Sequence, residues 1–154
     1  MARICVAGVG AVGATLAARL HAAGHTVSLL ARGERLAQLR RDGLRADLAG
    51  LCVVARLSAG EQPDFGIQDI VFVATKAQGL AALLPTLGPL IGPRTLVAPL
   101  VNGIPWWYFQ GAGGPFDGEP VLAVDPTGAL PRRHPGRMSR ASHTPTPRRS
   151  PRSP

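Results

Sequence analysis

Hydrophobic positions along the first hundred residues alternate between two rhythms. Arg3–Ala7 is a short apolar run rich in Ile and Val and closed by Gly8, the pattern of a strand buried on both faces. Residues 11–23 space Val12, Leu16, Leu20 and Ala23 at helical intervals among many alanines, with Gly24 as the natural stop. Residues 25–30 read as a second strand. Residues 35–42 carry Leu36 and Leu39 on one face with Gly43 behind them, a second and shorter helix. Leu44–Leu48 and residues 52–57 flank Ala49-Gly50, which predicts a β-hairpin. After the polar turn Gln62-Pro63-Asp64, residues 70–74 read as another buried strand and Leu80 to Leu84 as the start of a helix. Gly92-Pro93 then breaks the chain, and residues 95–100 form a further strand ending at Val101-Asn102-Gly103. Strands alternating with helices predict parallel βαβ units and an α/β, doubly wound parallel sheet.

Beyond Gly103 the pattern changes. Trp106-Trp107-Tyr108-Phe109 holds four of the chain's seven aromatic residues, so apolar surface is concentrated there. Residues 111–118 form a Gly-rich loop, and residues 121–124 read as one more strand. From Pro131 onward there are six Pro, seven Arg and four Ser, with almost nothing apolar beyond Met138 and Ala141. Such a segment cannot bury enough surface to offset the entropy of ordering. The chain therefore divides into a domain at 1–130 and a disordered basic tail at 131–154.

Charge follows the same division. The net charge of +8 is split into ten basic and nine acidic residues in 1–130, against seven Arg and no acid in 131–154. The high isoelectric point belongs to the tail, and the domain is nearly neutral. No apolar run reaches 18 residues, so no membrane helix is expected. The N-terminal run is broken by Gly8 too early for a secretory segment. Cys5 and Cys52 both lie in apolar runs and read as buried thiols, not a disulfide, which fits a cytoplasmic location.

The strongest chemical signal is Gly8-Val9-Gly10-Ala11-Val12-Gly13, a GxGxxG that follows a predicted strand and opens a predicted helix. Gly8 permits the tight turn, Gly10 lets backbone approach a pyrophosphate, and Gly13 allows close packing of helix on sheet. The helix start offers free N–H groups to phosphate. Together these predict a Rossmann-type dinucleotide site; the plain alternative is a Gly-rich turn without a ligand. The second strand ends Leu29-Leu30-Ala31-Arg32, with no acid where NAD enzymes place one for the ribose hydroxyls. Arg32 can pair with a 2′-phosphate, which points to NADP(H). Glu34 stands nearby, and the alternative for Arg32 is a solvated loop cation. Lys76, the only lysine in the chain, sits in Thr75-Lys76-Ala77-Gln78 just beyond a strand end, where ligands bind in open α/β sheets. Its alternative is an exposed lysine at a helix start, where the dipole disfavours it. Asn102, also beyond a strand end, can hydrogen-bond a nicotinamide ribose or a substrate, or can simply be a turn residue before Gly103. No metal site is expected.

Together these segments resemble the ketopantoate reductases (2-dehydropantoate 2-reductases). The matching stretches are residues 4–13, 23–27, 30–33, 73–78 and 100–104, and the likeness runs from residue 1 to about 130. The lysine and Asn-Gly segments, in this order, are far more specific than the glycine motif. The resemblance implies NADPH-dependent reduction of 2-dehydropantoate, or a related small 2-oxoacid, on the route to pantothenate. It places pyrophosphate on the loop 8–13, the 2′-phosphate on Arg32, and Lys76 and Asn102 at the cofactor and substrate cleft. In the family a helical second domain supplies the catalytic lysine and a glutamate that helps hold substrate. Here no lysine follows Lys76 and no acid follows Asp125, so no catalytic residue is assigned and that domain is expected to be absent.

The abrupt turn to Arg/Pro/Ser after Leu130 has the composition of GC-rich coding DNA read out of frame. A truncated or frameshifted, impaired reductase is therefore expected, with a genuine basic tail as the rival reading. Two further functions stand beside it. One is an NADP(H)-binding module without catalysis, open to self-association through the surface that would meet the second domain. The other, ranked last, is nucleic-acid binding by the arginines of 131–154.

Overall fold

The computed structural model describes residues 1–48, 50–100, 108–109 and 113–123. Asn102, Trp106, Trp107, Val124 and the whole of 131–154 lie outside the described residues. The elements are β1 (Arg3–Ala7), α1 (Ala11–Ala22), β2 (Thr26–Leu30), α2 (Gly33–Asp42), β3 (Leu44–Leu48), β4 (Leu51–Ala55), β5 (Ser58–Gly60), β6 (Ile70–Val73), α3 (Leu80–Leu83) and β7 (Leu96–Pro99). Five strands make one parallel sheet in the order β5-β2-β1-β6-β7, and β3 pairs antiparallel with β4 as a separate hairpin. This is the Rossmann-type arrangement predicted from the alternation of elements.

The central strands β1, β2 and β6 are largely apolar because the sheet there faces two cores. Along β1, Cys5 and Ala7 join Leu30, Val71, Val73, Val97 and the leucines of the α3 region on one face. Val6 joins Val27, Leu29 and the helices α1 and α2 on the other. Period-two alternation thus distributes neighbouring residues to opposite layers.

Four local outcomes differ from the sequence expectations. Helix α1 buries Gly13, Ala14, Ala17 and Ala18, while Val12 is 63% exposed. Small residues face the sheet because they let the helix axis come close, and the larger Val12 is turned outward. Cys52 is exposed on the hairpin, although Cys5 is buried and both thiols are free as expected. Leu122 and Ala123 lie in a turn, and none of residues 121–123 is in a strand. The segment after β6 holds only four α-helical residues, flanked by 3-10 turns at Ala77–Gly79 and Leu84–Leu90. Pro85 and Pro89 lack the N–H groups that a regular helix would use, which tightens this stretch. Even so, it buries Leu80, Leu83, Leu84, Leu87 and Leu90 against the sheet.

Candidate functional site

The chain leaves β1 in one direction to build β2 and β5, then returns to the other side of β1 to add β6 and β7. The crevice beyond the carboxyl ends of β1 and β6 is therefore the topological switch point where ligands bind in open α/β sheets. A cleft of about 580 Å³ opens there. Its walls come from Gly8, Val9 and Gly10 after β1, Leu30, Ala31, Arg32 and Arg35 after β2, Glu61 and Gln62 after β5, Thr75 after β6, and Ala82, Leu83 and Thr86 beyond.

The three glycines of the loop meet different constraints. Gly8 has φ +99, and a Cβ on it would lie 2.7 Å from Thr75 Cγ2 and 2.8 Å from the Thr75 nitrogen. It is required both by its backbone conformation and by the closeness of β6. A Cβ on Gly13 would run into the carbonyl oxygen of Gly8 and lie 3.2 Å from Ala74 Cβ. Gly10 has φ −76 and ψ −168, extended backbone open to any residue. Nothing lies within 4 Å of where its Cβ would be.

Helix α1 begins at this loop without a side-chain cap or an acid in its first turn. Its first intrahelical bond runs from Ala14 N to Gly10 O at 2.8 Å. The amides of Ala11, Val12 and Gly13 precede it and have no intrahelical acceptor. Those amides and the positive end of the helix dipole form a seat for an anion.

Of the residues singled out from sequence, Gly8, Val9, Gly10 and Arg32 line the cleft. Ala11 and Val12 are exposed at the start of α1, and Gly13 is buried beneath the loop. Lys76 is exposed one residue past Thr75, outside the lining, and Asn102 falls outside the described residues. Arg32 is exposed at the N-cap position of α2, where its carbonyl accepts from Leu36 N at 3.4 Å and its side chain makes no cap hydrogen bond.

The structure adds two residues that the sequence reading passed over. Arg35 lines the cleft half-buried, donating from Nε to Val9 O at 2.8 Å and from Nη1 to Gln38 Oε1 at 2.6 Å. Its position three residues after Arg32, one turn along a helix, was the available signal. Thr75 Oγ1 is the one buried side-chain oxygen or nitrogen without a hydrogen-bond partner among the described residues. Among those residues the ion pair is Arg41 with Asp42, and no described carboxylate pairs with Arg32 or Arg35.

A switch-point crevice, a glycine loop opening a helix and a cationic strand end define a dinucleotide-binding Rossmann domain. The particular lineage follows from likeness to known proteins. Residues 4–105 match the family model described as ketopantoate reductase PanE/ApbA, and the chain belongs to that family. It is 42% identical over 133 residues to a 2-dehydropantoate 2-reductase of Mesorhizobium japonicum, covering 85% of this chain and 41% of that protein. It superposes with a TM-score of 0.81 and 41% identity on a crystal structure assigned to the ketopantoate reductases from Ralstonia solanacearum, covering 88% of this chain and 42% of the other. D-mandelate dehydrogenase in a ternary complex with NADH and anilino(oxo)acetate is 33% identical at a TM-score of 0.61, covering 66% of this chain and 34% of the other. The chain thus spans about two fifths of the length of the first two relatives. Among the described residues no helix is long and apolar enough to cross a membrane.

Proposed function

We propose that the cleft binds NADP(H) and that the chain provides the cofactor-binding half of an NADPH-dependent reductase acting on 2-dehydropantoate or a related small 2-oxoacid. The observation that carries the reading is Gly10. Its backbone is extended and its surroundings are empty, so the fold places no demand for glycine there. A pyrophosphate approaching the backbone does. The residues present suit the group: the loop 8–13 and the free amides of α1 for pyrophosphate, and Arg32 for the 2′-phosphate. By the family resemblance Lys76 and Asn102 would serve the nicotinamide and substrate side; Lys76 is exposed just past Thr75, and Asn102 lies outside the described residues. Bound nicotinamide supplies the hydride; the chain's own residues bind and orient it.

Supporting this reading are the family membership, the relatives named as 2-dehydropantoate 2-reductases, and the absence of an acid at the end of β2. The test measures NADPH binding by fluorescence and NADPH oxidation with 2-dehydropantoate on one folded sample. Binding with turnover is expected of a working reductase, and absence of binding overturns the proposal.

A second reading, an NADP(H)-binding module without turnover, rests on the cleft alone, since none of the residues lining it is assigned a catalytic role. Binding without oxidation would select it. Self-association belongs to the same reading. Its candidate surface includes Tyr108, Phe116 and Leu122, each more than half exposed, with the Phe109 and Phe116 rings 5.8 Å apart.

A further inference from the structure

We infer that Arg35 is a cofactor-discriminating residue that holds the ribose 2′-phosphate jointly with Arg32 while bracing the glycine loop; the inference rests on the NADP(H) reading above. A guanidinium carries five N–H donors in a rigid fork. Two are committed, Nε to Val9 O and an Nη1 hydrogen to Gln38 Oε1. Three remain free, including both on Nη2. The residue lines the same cleft as Arg32 from the first turn of α2, which follows the strand paired with β1.

Two features turn this from a bystander cation into part of a site. First, the Nε bond fixes the stem on the loop itself. The guanidinium is therefore pre-organised, and little rotamer entropy remains to be lost when an anion arrives. The same bond occupies the Val9 carbonyl, a partial negative charge in the cleft lining that would otherwise repel phosphate. Second, among the described residues the charge of the two guanidiniums is left uncompensated. Glu34 and Glu61 are both exposed and neither lies within ion-pairing distance of Arg32 or Arg35. Two unneutralised guanidiniums at one end of a cleft suit a dianionic phosphomonoester, which NADPH has on its adenosine ribose and NADH lacks.

The inference separates cleanly from a purely mechanical role. If Arg35 only braces the loop, its loss disturbs the pyrophosphate seat, which both cofactors share. If it also holds the 2′-phosphate, its loss falls far more heavily on NADPH. The experiment measures Kd for NADPH and for NADH on the full chain and on Arg35→Gln and Arg35→Lys, with far-UV circular dichroism confirming the fold of each. Arg35→Gln is expected to weaken NADPH by about ten- to hundredfold, the range for a lost charge-assisted hydrogen bond. NADH should shift less than about threefold, within the effect of a neutral hydrogen bond. Arg35→Lys should recover part of the NADPH affinity, because it restores charge without the fork. Equal weakening of both cofactors, or no change in either, overturns the inference and leaves the NADP(H) reading standing. A wild-type chain that binds neither overturns both.

Discussion

The two ends of the sheet make opposite use of polar groups. At the amino ends of β1, β6 and β7 the polar atoms are matched to one another. Arg3 N donates to Asp69 Oδ2 at 2.7 Å and Arg3 Nη2 to Phe65 O at 2.7 Å. Gln68 Nε2 donates to the Phe65 and Gly66 carbonyls. Thr95 Oγ1 donates to Gln68 O at 2.6 Å and accepts from Gly92 N at 2.8 Å. Gln68 and Thr95 are buried at 4% and 3% exposure, which satisfied hydrogen bonds allow. At the carboxyl ends the pattern reverses. Among the described residues the Arg32 side chain has no ion-pair partner, Thr75 Oγ1 is buried without a partner, and helix α1 starts with no side-chain cap. One end is complete within the chain, and the other leaves donors for something outside it.

Substitutions test that contrast, beginning with the largest effect. Gly13→Ala drives a methyl into the Gly8 carbonyl and should cost about 3 kcal/mol in stability by denaturant titration, the upper range for overpacking. A cost under about 1 kcal/mol would mean the loop yields easily. Gly10→Ala should do the reverse. NADPH affinity falls on the order of a hundredfold, about 2.7 kcal/mol, as the methyl meets the pyrophosphate. Stability should hold or rise by a few tenths of a kcal/mol, since an extended position tolerates Ala. Matched losses in folding and binding would erase the distinction between the two glycines. Thr95→Val, at the other end, should cost about 2 kcal/mol by orphaning Gly92 N and Gln68 O, with the NADPH Kd unchanged.

The last test concerns Cys5 and appears only at alkaline pH. Burial pushes its thiol from 9.0 up to about 11, partly countered by a hydrogen bond with Ser28. The folded chain keeps this proton after the unfolded chain has released it. Stability from this group is therefore full below about pH 9 and falls as pH rises towards 11, by about 1.4 kcal/mol per unit at most. The Cys5→Ala variant should lose that part of the alkaline decline. In the folded wild type a thiol reagent should modify exposed Cys52 first and buried Cys5 only on unfolding.

Where a segment's own residues determine its structure, the fold was legible in the chain. The run Arg3–Ala7 before a GxGxxG, the Ala-Gly hairpin and the apolar strand at Ile70–Val73 all form where their patterns place them. Strand β5 was not legible as a separate element. Ser58-Ala59-Gly60 carries no apolar rhythm, and it becomes a strand by pairing with Ser28, Leu29 and Leu30 of β2. The inward face of α1 was misread because apolar periodicity weights large side chains, whereas close approach to a sheet selects small ones. In the site, Gly8, Val9, Gly10 and Arg32 were found by motif. Arg35 was not, because its anchoring in the cleft lining depends on a carbonyl 26 residues away.

The seam between Gly8 and Thr75 has a consequence for how the chain folds. It closes only when β6 docks against β1, joining positions such as Arg3 and Asp69 that are 66 residues apart. The β1-α1-β2 unit is local and can form early, but half of the crevice arrives with that late, entropically expensive closure. A dinucleotide that needs both walls recognises only the finished sheet, so by mass action its presence would shift the population away from half-assembled chains. In that sense the cofactor would act as a checkpoint on assembly before any hydride is transferred.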